Sequence, residues 1–213
     1  GIKRMFKDNE AVYYYLTLGN ENYEMPDMPK NSEEGILKGI YKFRENESIK
    51  ERPTVNIFAS GSLVNEAIKA QNQLAETFSI NSVIWGVTNY KRLREDALSK
   101  DRAYLLNPKK PRELSFLEKT LKDCNGPFIA VSDNMKIVSD QVSKWVPGGL
   151  LSLGTDGFGR SDTRENLRDF FEVDSKMILL AAITQLRDAN DISKTDFDKM
   201  YKELKIDRKK SNP

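Results

Sequence analysis

The run VNIFASGSLVNEAIKAQNQLAETFSINSVIWGV, residues 55–87, decides the fold class. Residues 55–59 are apolar except for Asn56 and predict a buried strand, which the turn at residues 60–62 ends. Apolar residues then recur at helical spacing from Val64 to Phe78, and residues 82–87 form a second apolar run. A strand, a helix and a strand in this order indicate an α/β fold with parallel strands.

The same alternation continues on both sides of this run. Further strands are predicted at residues 12–18, 40–43, 127–131 and 150–153. Helices are predicted at residues 32–38, at a short stretch around Leu93 and Leu98, and at residues 112–124, 137–146, 162–171, 174–188 and 194–204. The pattern predicts a mainly parallel sheet with helices on both faces, which is a three-layer α/β domain.

Composition excludes several classes of protein. The chain has 213 residues, of which 38% are hydrophobic and 31% charged, so it is long enough for a packed core and is not of disordered type. Its net charge of +2 gives no electrostatic argument for nucleic acid or for an anionic membrane. No apolar run reaches the roughly 18 residues of a membrane span, and no basic-then-apolar signal segment opens the chain.

The chain contains no histidine, which excludes Ser-His-Asp and Cys-His catalysis and every histidine-ligated metal site. The single cysteine, Cys124, excludes disulfide frameworks and paired-cysteine zinc or redox motifs. We interpret Cys124 as a buried small apolar residue, in keeping with a reducing compartment. No metal ligands are assigned from the sequence.

A glycine-rich loop at residues 153–162 follows a predicted strand and precedes a helix, where such loops often hold phosphate. Asp162 stands where a dinucleotide loop has its third glycine, so Asp162 as N-cap with Glu165 in a capping box is the better interpretation. Residues 60–62 offer a weaker form of the same motif, with Ser62 as N-cap. Glu21, Glu24 and Asp27 are either acid/base groups or solvated carboxylates.

The whole chain resembles one enzyme family, and two stretches carry the resemblance most clearly. The first covers residues 12–41 and includes Asn20-Glu21-Asn22-Tyr23-Glu24, and the second is the long motif at residues 153–174. Both resemble the homodimeric, acetyl-transferring pyruvate dehydrogenase component. The resemblance implies the last strand of a pyrimidine-binding domain and a linker at residues 1–30, followed by a transketolase C-terminal-like domain at residues 31–213.

The resemblance covers only the C-terminal part of that family's chain. The first residue is Gly1 rather than Met, so either a leader was removed or the sequence is a piece of a longer chain. In the family, thiamine diphosphate and Mg²⁺ are bound by motifs that lie upstream of the matched part. We therefore expect this chain alone to bind no cofactor and to be inactive, and to support the dimer and the active-site entrance of a full enzyme.

The family's activity and partners follow from the same resemblance. The full enzyme decarboxylates pyruvate and acetylates the lipoyl group of dihydrolipoyl acetyltransferase, with the cofactor carrying the carbanion chemistry. The resemblance implies a cytoplasmic homodimer that binds neither nucleic acid nor membrane.

Site residues are carried over position by position. Glu24 stands where well-known members have a histidine close to the cofactor, and it is the candidate catalytic residue, because a glutamate can accept or donate a proton. Asn20, Glu21, Asn22 and Tyr23 match the surrounding pattern. The second motif is expected near the dimer interface and the active-site approaches; its residues are Asp156, Gly157, Phe158, Gly159, Arg160, Ser161 and Asp162.

Two alternatives remain open at this point. One is another enzyme of the transketolase superfamily, such as a transketolase or a different 2-oxo-acid dehydrogenase. The other is a stand-alone, non-catalytic dimerisation or binding module that kept the fold without the cofactor site.

Overall fold

The computed structural model describes residues 1–15, 22–46, 49–211 and 213. Within these ranges it contains one five-stranded sheet in the order β1-β3-β2-β4-β5. Neighbours β3-β2-β4-β5 run parallel, and only the edge strand β1 is antiparallel to its neighbour β3. The strands are β1 (Ile40–Glu45), β2 (Thr54–Ala59), β3 (Asn81–Val87), β4 (Phe128–Val131) and β5 (Leu151–Leu153).

Helices connect and cover these strands. In the described part of the chain they are α1 (Glu33–Lys38), α2 (Val64–Phe78), α3 (Tyr90–Leu106), α4 (Phe116–Leu121), α5 (Lys136–Asp140), α6 (Arg164–Phe170), α7 (Ser175–Asp188) and α8 (Lys194–Leu204). Short helical turns occur at Lys3–Lys7, Gly61–Leu63 and Ser143–Trp145. Across the described ranges, no helix combines the length and the apolarity needed to cross a bilayer.

The sheet separates two cores, as the alternation of side chains along each strand requires. On one face, Ile57 of β2 and Ile129 of β4 pack with α2, α7 and α8. On the other face, Phe58 and Trp85 pack with α3 and α4. The predicted three-layer α/β architecture with a mainly parallel sheet is therefore confirmed.

The predicted strand at residues 12–18 is wrong where the structure describes it. Residues 12–15 lie outside any strand, and Tyr13 and Tyr15 are 86% and 85% exposed. A strand needs a neighbouring strand to pair its backbone groups, and within the described residues none lies beside this segment. The β-propensity of the tyrosines does not replace that pairing. Residues 16–18 lie outside the described residues, and the predicted domain division near residue 30 stays a prediction.

Three helices differ clearly in extent from their predictions, and the others agree to within two residues at each end. The predicted short helix around Leu93 and Leu98 is α3, which is 17 residues long. The helix predicted at residues 112–124 begins only at Phe116, because Ser115 and Glu118 form a capping box.

The helix predicted at residues 137–146 ends at Asp140. There, Ser139 Oγ donates to Lys136 O at 3.0 Å and shares a hydrogen bond with the Ser152 hydroxyl at 2.8 Å. Side-chain bonds of this kind compete with helix continuation, which explains the early end.

Candidate functional site

The candidate site lies at the carboxyl ends of the parallel strands. From β2 the chain passes to β3 on one side and then to β4 on the other, so the sheet has a topological switch point between β2 and β4. Open α/β sheets place ligands outside such a point. The segments that follow β2, β4 and β5 meet there, and they carry Ser62, Asp133 and Thr155.

Hydrogen bonds tie these three segments together. Ser62 Oγ donates to Asp133 Oδ2 at 2.9 Å, and Thr155 Oγ1 donates to Asp133 O at 2.6 Å. The backbone N–H of Lys136 donates to Asp156 Oδ1 at 3.0 Å. The start of the glycine-rich loop is therefore fixed to the loop that follows β4.

Glu66 on α2 connects this edge to the C-terminal helices. Its Oε1 accepts from Arg168 Nη1 at 2.8 Å and from Lys69 Nζ at 2.9 Å, and its Oε2 accepts from the N–H of Ser175 at 3.0 Å. Burial alone would raise the pKa of this carboxyl, but the hydrogen bonds and the two cations outweigh burial and lower the pKa. We call Ser62, Glu66, Asp133 and Arg168 the carboxyl-edge network.

The glycine-rich loop has a fixed beginning and an open middle. A Cβ at Gly154 would lie 2.5 Å from Asn134 O and 2.9 Å from Lys136 N, so no other residue fits there without a shift. At Gly157, with a φ of +83°, and at Gly159, a Cβ would meet nothing within 4 Å. Phe158 between them is 95% exposed. The close approach at Gly154 fixes the loop, and the two later glycines leave its tip free of contacts.

The second half of the loop stacks on α6. The Arg160 guanidinium carbon lies 4.1 Å from the ring centre of Phe170, in cation–π geometry. Arg160 and Phe170 line two open clefts of about 500 and 360 Å³, the first lined also by Phe158 and the second by Ser161 and Asp162. The loop thus presents an arginine and an aromatic ring to solvent.

The helix that follows the loop is capped differently from the prediction. Thr163, not Asp162, is the N-cap of α6, and its Oγ1 accepts from Asn166 N at 3.4 Å. Asp162 Oδ1 accepts from Thr163 N and Asn166 Nδ2, which lowers the pKa of Asp162. Glu165 closes no capping box. A carboxylate held at the start of α6 would repel a phosphate, which disfavours phosphate binding here.

Ser62 is likewise not an N-cap. A helical turn precedes α2, which starts at Val64 without a side-chain cap, and the Ser62 hydroxyl is bonded to Asp133 instead.

The structure brings the two resemblance motifs together. The ring centre of Tyr23 lies 4.4 Å from the guanidinium carbon of Arg164, at the start of α6. The carbonyl of Glu24 accepts from Asn65 Nδ2 of α2 at 3.4 Å. The first motif therefore lies against the same two helices that the carboxyl-edge network connects.

The individual residues of the first motif have different outcomes. Asn20 and Glu21 lie outside the described residues. Asn22 is exposed. The Glu24 side chain is exposed and forms no hydrogen bond or ion pair in the part of the chain that the structure describes. Its catalytic role stays a prediction.

Sequence reasoning missed the residues that hold the site together. These are Asn65, Glu66 and Asp133, and Arg168 was noted only as part of the second motif. Asp133 had a usable signal, because it follows an apolar strand and the carboxyl ends of parallel strands meet at one edge. Glu66 had none, because a glutamate in an amphipathic helix normally faces solvent.

The site's donor set does not fit a diphosphate with Mg²⁺. Among the described residues, no three His, Cys, Asp or Glu side chains converge as a metal site. Asp133, Asp156 and Asp162 each accept hydrogen bonds from the chain itself.

Cys124 is half-buried and packs against the core that contains Phe58 and Trp85. Burial raises the pKa of its thiol, so the thiol is mainly protonated at neutral pH.

The sheet order and the single antiparallel edge strand of the described residues define the class as a mainly parallel α/β domain with a polar carboxyl edge. Residues 39–174 match the family model described as the transketolase-like TK C-terminal domain. The chain belongs to that family.

Curated relatives match along the full chain. The pyruvate dehydrogenase E1 component of Cupriavidus necator is 39% identical over 213 residues, which are 100% of this chain and 24% of the relative. The pyruvate dehydrogenase E1 component of Escherichia coli K12 is 38% identical over 215 aligned residues, with the same coverage. The chain thus spans about a quarter of the length of these relatives.

Solved structures agree with the fold. A transketolase from Pichia stipitis superposes with a TM-score of 0.52 at 20% identity, covering 78% of this chain and 20% of that one. At this identity the likeness shows the fold alone.

Proposed function

We propose that the chain serves as the C-terminal part of a thiamine-diphosphate-dependent pyruvate dehydrogenase component. That enzyme decarboxylates pyruvate and acetylates the lipoyl group of a dihydrolipoyl acetyltransferase. The observation that carries the proposal is the match of 38–39% over the whole chain to pyruvate dehydrogenase E1 components, against 20% and fold alone for a transketolase.

In this proposal, the chain supports the active site of the full enzyme structurally. The carboxyl-edge network fixes α6 to α2, and both helices contact the segment that carries Tyr23 and Glu24. The cofactor and Mg²⁺ would be held by residues outside this chain, because the donors described above do not fit them. When bound, the cofactor supplies the carbanion chemistry.

Glu24 is assigned a proton-transfer or positioning role at the entrance. Its carbonyl is held by Asn65 while its carboxylate stays exposed, so the side chain can turn toward a neighbouring domain. A carboxylate at that position could move a proton that the family's histidine would otherwise move. The loop tip with Phe158 and Arg160 is assigned to the same entrance or to the dimer interface.

A chimera tests the proposal. The matching quarter of the Escherichia coli pyruvate dehydrogenase E1 component is replaced by this chain, and turnover of pyruvate is measured together with cofactor binding and the dimer's sedimentation. We expect turnover within about tenfold of the parent enzyme, because the exchanged part does not hold the cofactor. A chimera that is folded, dimeric and cofactor-loaded but without turnover of pyruvate would contradict the proposal.

The same chimera isolates Glu24. Glu24→Gln is expected to lower turnover by about tenfold to a hundredfold with little change in thermal stability, because the side chain is exposed. Glu33→Gln, an exposed acid on α1, is the matched control and should leave turnover unchanged. Equal turnover of the Glu24 variant and the control would return Glu24 to the role of a solvated carboxylate.

Calorimetry on this chain alone tests the placement of the cofactor site. Titration with thiamine diphosphate and Mg²⁺ should give no heat of binding. Micromolar binding would show that the cofactor groups lie within this chain.

A further inference from the structure

The outer face of α3 carries leucines that are not buried in the fold. The buried residues of this helix are Tyr90, Leu93 and Ala97, all in its first half. Leu98, Leu105 and Leu106 lie outside this buried face and are 38%, 78% and 66% exposed. Beyond Ala97, no residue of α3 is buried.

Arginines share this face with the leucines. Arg94, Leu98, Arg102 and Leu105 follow one another at spacings of four, four and three residues, which places them on one stripe about 18 Å long together with Leu106. Lys109 and Lys110 lie three and four residues beyond Leu106, where the helix ends, and are exposed. We call Arg94, Leu98, Arg102, Leu105 and Leu106 the α3 stripe.

The charges around the α3 stripe are unbalanced. Residues 91–114 contain eight Lys and Arg against four Asp and Glu, in a chain whose net charge is only +2. All four acids are engaged: Glu95 with Lys91, Asp96 with the N–H of Phe116, Asp101 with Arg112 and Lys144, and Glu113 with Lys100. Within the described ranges, Arg94, Arg102, Lys109 and Lys110 form no ion pair or side-chain hydrogen bond.

We propose that the α3 stripe binds an acidic amphipathic segment of a partner protein. Exposed leucines at helical spacing fit an apolar face on the partner, and the unpaired bases fit acidic residues beside that face. This inference stands apart from the function proposed above, because it uses no residue of the carboxyl edge.

Other occupants fit the same face less well. If two copies of this chain docked through the same stripe, the four basic side chains on and beside it would face the same four in the other copy. Such a contact is repulsive. Nucleic acid would contact the arginine and lysine side chains and leave the leucines exposed. An anionic membrane would need a longer apolar face than the two helical turns from Leu98 to Leu106 provide.

A pair of synthetic peptides tests the proposal. The first is an amphipathic helix of about sixteen residues with leucines on one face and glutamates elsewhere, and its twin has lysine in place of every glutamate. Binding to the full 213-residue chain is measured by fluorescence anisotropy. We expect the acidic peptide to bind at least about tenfold more tightly than the basic twin, and to weaken as salt is raised.

Variants of the stripe decide whether this binding is at the proposed place. Leu105→Ser with Leu106→Ser should weaken the acidic peptide by about tenfold or more, and Arg102→Glu with Lys109→Glu should invert the preference between the twins. Leu37→Ser with Arg52→Glu, at exposed positions outside α3, is the matched control and should change neither the affinity nor the preference. Unchanged thermal unfolding of each variant shows that the fold is intact.

Four results would overturn the proposal. They are no saturable binding of the acidic peptide, no inversion by the charge-reversal variant, stripe-dependent sedimentation with vesicles of phosphatidylcholine and roughly one-third phosphatidylserine, and a stripe-dependent dimer in analytical ultracentrifugation. The last two would assign the face to a membrane or to a second copy of the chain.

Discussion

The carboxyl edge of the sheet and the outer face of α3 use their charges in opposite ways. At the edge, Glu66 is 4% exposed and bonded on both oxygens, and Arg168 reaches both Glu66 and Ser62. On α3, Arg94 and Arg102 lie beside exposed leucines with no partner in the described part of the chain. The edge charges therefore stabilise the fold, and the α3 charges are available to something outside it.

Breaking the carboxyl edge should give the largest effect. Glu66→Ala removes a buried carboxylate and leaves Arg168, 14% exposed, without its partner, so we expect a loss of about 3 kcal/mol in the free energy of unfolding. Denaturant unfolding measures this loss. Glu76→Ala, an exposed acid on the same helix, should change stability by less than about 0.5 kcal/mol. Equal effects of the two substitutions would show that the buried pair contributes nothing.

The two ends of the glycine-rich loop should respond differently to the same added methyl group. Gly154→Ala places a Cβ 2.5 Å from Asn134 O, against backbone that is itself hydrogen-bonded, and should cost about 1–3 kcal/mol. Gly159→Ala meets nothing within 4 Å and should change stability by less than about 0.5 kcal/mol. Thermal unfolding of both variants checks this, and a reversed order would contradict the described anchoring.

The pH dependence of stability should sharpen the role of Glu66. The pKa of Glu66 is lowered in the fold, so its contribution is present above its unfolded pKa and is lost as the pH falls through its folded pKa. Asp174 contributes to stability in the opposite direction. Burial raises its pKa in the fold, so its protonated form stabilises the folded state. That contribution is present below the unfolded pKa and is lost as the pH rises through the folded pKa.

A titration of stability separates the two carboxyls. Glu66→Gln should make the fall of unfolding free energy below about pH 5 shallower than in the unchanged chain. Asp174→Asn should leave a steeper fall, because the opposing contribution is removed. If the unfolding free energy falls identically below about pH 5 in all three chains, the fold shifts the pKa of neither carboxyl.

The α3 stripe should show the smallest effect on folding. Leu105→Ser with Leu106→Ser removes little buried area, so we expect a change below about 0.5 kcal/mol per residue. Leu93→Ala on the core face of the same helix should cost about 2–5 kcal/mol. Comparable losses at the two faces, measured by denaturant unfolding, would mean that the leucines of the stripe already support the fold.

Periodicity predicted most of the fold. Residues 55–87 gave β2, α2 and β3 because apolar strands and an amphipathic helix follow directly from which side chains are buried. The predicted helix at residues 194–204 coincides with α8, since Ser193 is its N-cap and Lys205 ends it in the left-handed conformation. The strand at residues 12–18 was wrong at residues 12–15, because strand formation depends on a neighbour that local sequence does not specify.

The candidate site was predictable only in part. The glycine-rich loop was recognised from its spacing, but its anchor depends on a contact between Gly154 and Asn134, which are 20 positions apart. The pair of Glu66 and Arg168 joins positions 102 residues apart. Such contacts are set by tertiary packing, so a single sequence carries no local signal for them.

The claim that links the fold to the proposed function is that the Glu66–Arg168 pair holds α6, and with it the contact of Arg164 on Tyr23, against α2. A double-mutant cycle of Glu66→Gln and Arg168→Met, measured by denaturant unfolding, tests it most directly. We expect a coupling of at least about 1.5 kcal/mol between the two positions. Additivity within about 0.5 kcal/mol would contradict it, because the two side chains would then act independently.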